Sequence, residues 1–284
     1  VIPSPFDYAA PTTVAQALDL LADAGDDVKV LAGGQSLIPV MKLRMADPTM
    51  VVDLGRISEL TGVTDDGDSL LIGAMTPHHV IAKDLLIATY APLLAQAAAT
   101  VADPQVRHRG TLGGALVHAD PAGDMPAPVL ALDATLVVAG PHGERSIAAA
   151  DFFQGYFTTA VQEGEILTHI RIPKYVGWGS HYEKFTRVAQ QWSIVAVAAM
   201  VRVEGGAIAA ARIGLTNMAS TPLRARGVEA ALAGCALEAD AIATACAQAA
   251  DGTEPASDLN GDAAYRRHLS QVLTKRAVLS AAGL

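Results

Sequence analysis

Two short segments with adjacent glycines constrain this chain more than any other feature. They are "VLAGGQSLIPVMKLRM" (Val30–Met45) and "RHRGTLGGALVHADPAGDMP" (Arg107–Pro126). Adjacent glycines let the backbone adopt positive φ and come close to a ligand or to another backbone. A hydroxyl residue accompanies each pair, Ser36 in the first and Thr111 in the second. Neither segment fits G-x-x-x-x-G-K-[ST] or G-x-G-x-x-G, and neither pattern occurs elsewhere in the chain. Taken singly, each pair is an ordinary turn. Taken together, with convergent N–H groups and hydroxyl donors, they suit an anion held from two sides, such as the diphosphate of a dinucleotide.

Charge and length agree with that reading. The formal charge is −9, which opposes nucleic-acid binding and leaves few cations for phosphate. Backbone N–H groups would then do the holding. The chain has 284 residues, 51% hydrophobic and only 5% aromatic, which suits an α/β protein with a sizeable core. The apolar runs fall short of a membrane span, and the N-terminus carries no secretory pattern, so a cytoplasmic location is expected. Cys235 and Cys246 form no C-x-x-C, so the chain is expected to carry no metal site or iron–sulfur cluster and to keep two core thiols. His78–His79 reads as a pair of surface or helix-start histidines.

Periodicity organises the rest. "TTVAQALDLLADAG" (Thr12–Gly25) has helical spacing, with Thr12 or Thr13 as cap and Gly25 as stop. "VKVLAGG" reads as a strand entering the first glycine loop, "SLIPVMKLRM" as a short helix or turn, and "TMVVDLGRI" as a second strand. A βαβ-like unit results, with its loop where α/β folds bind ligands. Asp66–Gly67 and Pro141–Gly143 mark hairpins. The segment from Pro77 to Ala102 reads as helix in two pieces, broken near Pro92. Asp103–Pro104 reads as a turn, and a short helix starts near Asp124. Tyr175–Gly179 suits a linker. Two strands joined at Glu204–Gly206 and a helical tail follow.

The blocks "LAGGQSLIPVMKLRMADPTMVVDLGRI", "ADPQVRHRGTLGG", "HADPAGDMPA" and "GLTNMASTPLRA" occur in this order. Together they resemble the FAD-binding medium subunits of the molybdenum hydroxylases, over nearly the whole chain. The resemblance implies an α+β architecture: a two-subdomain FAD-binding fold of the vanillyl-alcohol-oxidase/PCMH type plus a C-terminal α+β subdomain. The expected limits are 1–57, 58–174 and 175–284. FAD is then gripped at its pyrophosphate by Ala32, Gly33, Gly34, Gln35 and Ser36, and by Thr111, Leu112, Gly113, Gly114 and Ala115. Asp124 faces the adenosine or ribityl part, Val101 lies near the flavin, and Leu167 packs on the isoalloxazine. Lys184 lies on the flavin side of the C-terminal subdomain, and Trp192 shields the ring. Ala115 replaces an asparagine common in the family, so His118 or Gln35 would supply the missing polar contact.

On the residues alone, Asp124 before Met125–Pro126 is a helix cap, and Trp192 fills a core. Arg107 and Arg109 are either phosphate clamps or solvated cations. Glu183–Lys184 is not an acid–base pair, because the resemblance puts bond chemistry in another subunit.

The function implied is an electron-transfer flavoprotein subunit with no catalytic acid or base of its own. Its partners would be a small subunit with [2Fe–2S] clusters and a molybdopterin large subunit, in a dimer of heterotrimers. That assembly would reduce an external acceptor and could meet a membrane peripherally through its partners. Carbon monoxide is the first expected substrate, ahead of aldehydes, N-heterocycles and purines. A stand-alone FAD oxidase and a scaffold without flavin are the competing readings.

Overall fold

The computed structural model describes residues 2–23, 25 and 27–284. The N-terminal part is a three-stranded parallel sheet. Its elements are β1 (Asp7–Ala9), α1 (Val14–Asp23), β2 (Val28–Leu31), α2 (Leu37–Lys42) and β3 (Met50–Asp53), with sheet order β1-β3-β2. Helix α1 buries Ala17 and Leu21, and Thr13 caps it by accepting from the Gln16 N–H. The β2–α2–β3 crossover puts residues 32–36 at the carboxyl end of β2, as the periodicity predicts. β1 is an addition that no alternation in "FDYAA" announces.

The second part is built on a five-stranded antiparallel sheet. It contains β4 (Val63–Asp66), β5 (Ser69–Gly73), α3 (His78–Ile81), α4 (Leu85–Tyr90), α5 (Pro92–Thr100), α6 (Pro104–Arg109), α7 (Leu112–His118) and α8 (Pro126–Ala131). After these come β6 (Thr135–Gly140), β7 (Gly143–Ala148), α9 (Ala149–Phe152), β8 (Phe153–Gly155), β9 (Thr158–Thr159) and β10 (Ile166–Pro173). The order β4-β5-β10-β6-β7 inserts β10 between the two expected hairpins. The predicted helix pair is in fact three helices. Besides the break at Pro92, Asp84 starts α4 by accepting from the Leu86 and Ile87 N–H groups. Asp103–Pro104 is likewise a helix start, since Asp103 accepts from the Val106 N–H.

The third part is a four-stranded sheet, β11 (Trp178–Phe185), β12 (Val195–Glu204), β13 (Ala207–Thr216) and β14 (Leu223–Arg224), backed by α10 (Arg226–Leu232), α11 (Ala239–Cys246) and α12 (Ala263–Ala282). Strand β12 is buried on both faces. Ala196, Ala198 and Met200 join the core of the second part, while Val195, Val197, Ala199 and Val201 pack toward the helices. Small residues on the first face let the parts approach closely, and a Cβ at Gly214 would run into the Ala127 carbonyl.

The expected linker is not a free one. The Tyr175 hydroxyl donates to the Leu132 carbonyl at 2.9 Å, and Trp178–Gly179 already belong to β11. Cys246 is buried, and burial pushes its thiol up to about 12. Cys235 is only half-buried, so one of the two thiols is not a core residue. Among the described residues no helix is long and apolar enough to cross a membrane.

Candidate functional site

A cleft of about 420 Å³ opens where the first and second parts meet. Its walls carry fourteen of the sixteen residues expected at a cofactor site. Ala32, Gly33, Gly34, Gln35 and Ser36 line one side, and Thr111, Gly113, Gly114, Ala115 and His118 line the other. Val101, Asp124, Leu167 and Trp192 complete the set; Lys184 stands behind the wall, and Leu112 is buried in the core of the second part instead of lining the cleft.

The two glycine loops touch. A Cβ at Gly33 would run into the Arg109 carbonyl and come within 2.7 Å of Gly110 Cα. Gly34 has φ 75, a left-handed conformation that glycine adopts without steric cost. At Gly113 a Cβ would meet the Ala74 carbonyl oxygen at 2.8 Å, so α7 lies directly on the end of β5.

The loops differ in their free donors. Among the described residues no protein acceptor pairs with the N–H groups of Gly33, Gly34, Gln35 and Ser36, and the Ser36 hydroxyl caps nothing. In the second loop, Leu112 N–H donates to Thr76, Gly113 N–H to Ala74 and Gly114 N–H to the Thr111 hydroxyl. These backbone donors are therefore spent on the protein, and among the described residues only the Thr111 N–H of this loop has no protein acceptor. The hydrogen of the Thr111 hydroxyl remains available. Gln35 turns its amide N–H back onto the Gly33 carbonyl at 3.1 Å. His118 stands against Phe157, with ring centroids 5.2 Å apart.

Asp124 is not a helix cap. The residue at the cap position of α8 is Met125, and no side chain bonds there. The Asp124 carboxylate instead accepts from Tyr182 Oη at 2.9 Å, Ser193 Oγ at 3.0 Å and Lys184 Nζ at 2.7 Å. These donors come from 58 to 69 residues away, which is why local pattern misses them. Burial raises the Asp124 pKa, and the Lys184 ammonium opposes that shift. Burial and the neighbouring carboxylate push the Tyr182 hydroxyl well above 10. One lone pair on Oδ2 remains for a ligand hydroxyl.

Other expectations resolve plainly. The guanidinium of Arg107 donates to the carbonyls of Val101 and Ala102, so it braces the turn at Ala102 rather than the cleft. The side chain of Arg109 is an exposed cation at the loop crossing. Glu183 faces His181 at 2.9 Å while Lys184, one residue on, faces Asp124, so the two do not act as a pair. Trp192 is 57% exposed and borders the cleft, so it is not core filler.

His78, Asp120 and Glu165 line the cleft without having been expected there. The Glu165 carboxylate is clasped by Arg145 through two contacts of 2.7 Å, which holds its pKa low. Asp120 folds its loop by accepting from the Ala122 N–H. The H-A-D-P-A-G-D block carries turn chemistry that could have revealed Asp120. Nothing local marks the other two. His78 is a helix-start residue as read, but it is buried rather than on the surface. Burial and Arg107 lower its pKa to about 4.

The cleft fits a dinucleotide on its own chemistry: unpaired loop amides beside a free hydroxyl, a buried carboxylate with a spare lone pair, and apolar walls. Residues 4–175 match the family described as FAD binding domain in molybdopterin dehydrogenase, and residues 180–281 match the CO dehydrogenase flavoprotein C-terminal domain. The chain is 41% identical to the carbon monoxide dehydrogenase medium chain of Hydrogenophaga pseudoflava over 99% of its own length and 98% of the relative's. A solved carbon monoxide dehydrogenase from the same organism, lacking the Mo-pyranopterin moiety, superposes with TM-score 0.96 at 43% identity, covering 100% of this chain and 99% of that one. Quinoline 2-oxidoreductase from Pseudomonas putida 86 superposes with TM-score 0.95 at 34% identity, over 100% and 99%. This chain belongs to the FAD-binding medium subunits of the molybdenum hydroxylases, and its cofactor is FAD.

Proposed function

We propose that this chain is the medium subunit of an aerobic carbon monoxide dehydrogenase, carrying electrons from [2Fe–2S] clusters of a partner to an external acceptor. The observation that carries the cofactor side of this reading is the row of unpaired amides from Gly33 to Ser36 at the loop crossing. The substrate side is supported by 41–43% identity to carbon monoxide dehydrogenase relatives, against 34% to the quinoline enzyme. The partners are an iron–sulfur small subunit and a molybdopterin large subunit, in a dimer of heterotrimers. The working limits of its three units are 1–57, 58–174 and 175–284.

Bound FAD supplies a centre that takes electrons singly and releases them singly or as a hydride. The first loop gives its amides and the Ser36 hydroxyl to the diphosphate. The second loop adds the Thr111 hydroxyl, and its glycines let α7 and the first loop pack closely. Asp124 accepts from a ribose or ribityl hydroxyl through its spare lone pair. Val101 and Leu167 give the flavin apolar walls, and Trp192 covers the open side of the ring. Lys184 acts from behind, by holding Asp124 in place.

The test is purification of the native complex, followed by measurement of dye reduction with carbon monoxide and with quinoline. Reduction driven by carbon monoxide, in an assembly of three chain types, is expected. Turnover of the heterocycle with none of carbon monoxide overturns the substrate. A fully active monomer overturns the assembly.

A further inference from the structure

We propose that His78 binds the cofactor's diphosphate, donating a hydrogen bond from its imidazole Nε2 beneath the crossing of the two glycine loops. The proposal rests on the reading of this cleft as the FAD site.

His78 is 3% exposed and lines the cleft. Its Nδ1 is buried with no partner, and among the described residues no protein group bonds to Nε2 either. Nδ1 stays the bare nitrogen of this buried ring, and a donor on Nε2 with no acceptor is uncommon in native proteins and calls for a cause. Its position supplies one. A Cβ on Gly110 would lie 3.0 Å from His78 Cδ2 and 3.3 Å from Nε2. Gly110 in turn lies against Gly33, so the imidazole sits under the point where the loops cross.

The backbone holds the ring there. The His78 N–H donates to the Gly110 carbonyl at 2.9 Å, and a bridge pairs Pro77 with Thr111. The neighbouring His79 points elsewhere and stacks on His108, with centroids 3.8 Å apart. Burial keeps His78 neutral, so it offers one N–H and one bare nitrogen rather than a positive charge. A proton on Nε2 gives a directed donor that an oxygen of the diphosphate completes. A donor of this kind suits a chain with few cations at the site.

The test is titration of FAD into the full-length apo-protein by flavin fluorescence, for wild type, His78→Leu and His78→Gln, with apo melting temperatures and 31P spectra of the bound FAD. His78→Leu should weaken FAD binding roughly tenfold or more, the loss expected for a bond to a charged acceptor. The apo melting temperature should hold or rise, because an unpartnered polar group is gone. His78→Gln should recover part of the affinity through its own amide N–H, and the 31P resonances should move in His78→Leu. Unchanged affinity in His78→Leu overturns the proposal. So does weaker binding that comes with a lower apo melting temperature and unmoved 31P resonances, which marks a packing role. A wild-type chain that takes up no FAD overturns the cleft reading itself, before any variant is made.

Discussion

Lys184 Nζ lies 2.7 Å from Asp124 Oδ2, and both side chains are nearly withdrawn from water, at 10% and 4% exposure. The pair joins β11 of the C-terminal sheet to the loop that forms the cleft wall. Lys184 also donates to the Thr100 carbonyl at 3.1 Å, beside Val101 in the cleft. The contact that docks the C-terminal part therefore also sets the position of a carboxylate facing the cofactor.

Removing one partner leaves a buried charge alone. Lys184→Met should cost about 3–5 kcal/mol of folding stability, and the double variant Lys184→Met with Asp124→Asn should recover much of it. Denaturant unfolding of the set measures the coupling. Additive losses would mean that the two side chains do not act as a pair.

Tyr182 and Asp124 should separate stability from binding. Tyr182 donates to Asp124 but does not line the cleft, so Tyr182→Phe should cost about 1.5–3 kcal/mol of stability with little change in FAD affinity. Asp124→Ala should lower both, with affinity down roughly ten- to a hundredfold. Flavin titration beside thermal melts distinguishes them. Unchanged FAD affinity in Asp124→Ala would remove it from the site.

The glycines of the first loop should rank by what surrounds them. At Gly34 a methyl group meets the flexible Ile38 side chain at 2.7 Å, and the strain of positive φ costs about 1–2 kcal/mol. At Gly33 it meets backbone of the opposite loop, which cannot swing aside. Gly33→Ala should therefore lose more flavin than Gly34→Ala, read as the flavin-to-protein absorbance ratio. Equal loss would contradict the observed loop contact.

Acid should expose His78. Its folded pKa of about 4 lies below the ordinary 6.5, so the unfolded chain binds a proton here that the native state refuses. Stability is unaffected by this group above pH 6.5 and falls as pH drops from 6.5 toward 4. The loss is about 3 kcal/mol, on the order of that pKa difference. Comparing apo wild type with His78→Leu across this window isolates the effect from the carboxylates. Parallel stability curves would show that His78 charges freely in the native state.

Some of this is legible in the sequence alone. Alternation and turn residues marked the hairpins at Asp66–Gly67 and Pro141–Gly143. The spacing of Val14, Ala17 and Leu21 marked α1, and the glycine pairs marked loops held close to something. All of these are signals between residues a few positions apart, where backbone geometry and side-chain period act directly. The partners of Asp124, the burial of His78 and the unequal donors of the two loops depend on contacts between distant segments. In the sequence Asp124 reads as a cap because a helix follows at Pro126, yet Tyr182, Lys184 and Ser193 claim its oxygens. The glycine pairs looked equivalent in sequence. Only the packing of α7 on β5 shows that the amides of Leu112, Gly113 and Gly114 are already bonded while those of Gly33 to Ser36 stay free. A chain's own neighbours decide which elements form, whereas desolvation and hydrogen-bond competition are settled only when sheet, helix and loop meet.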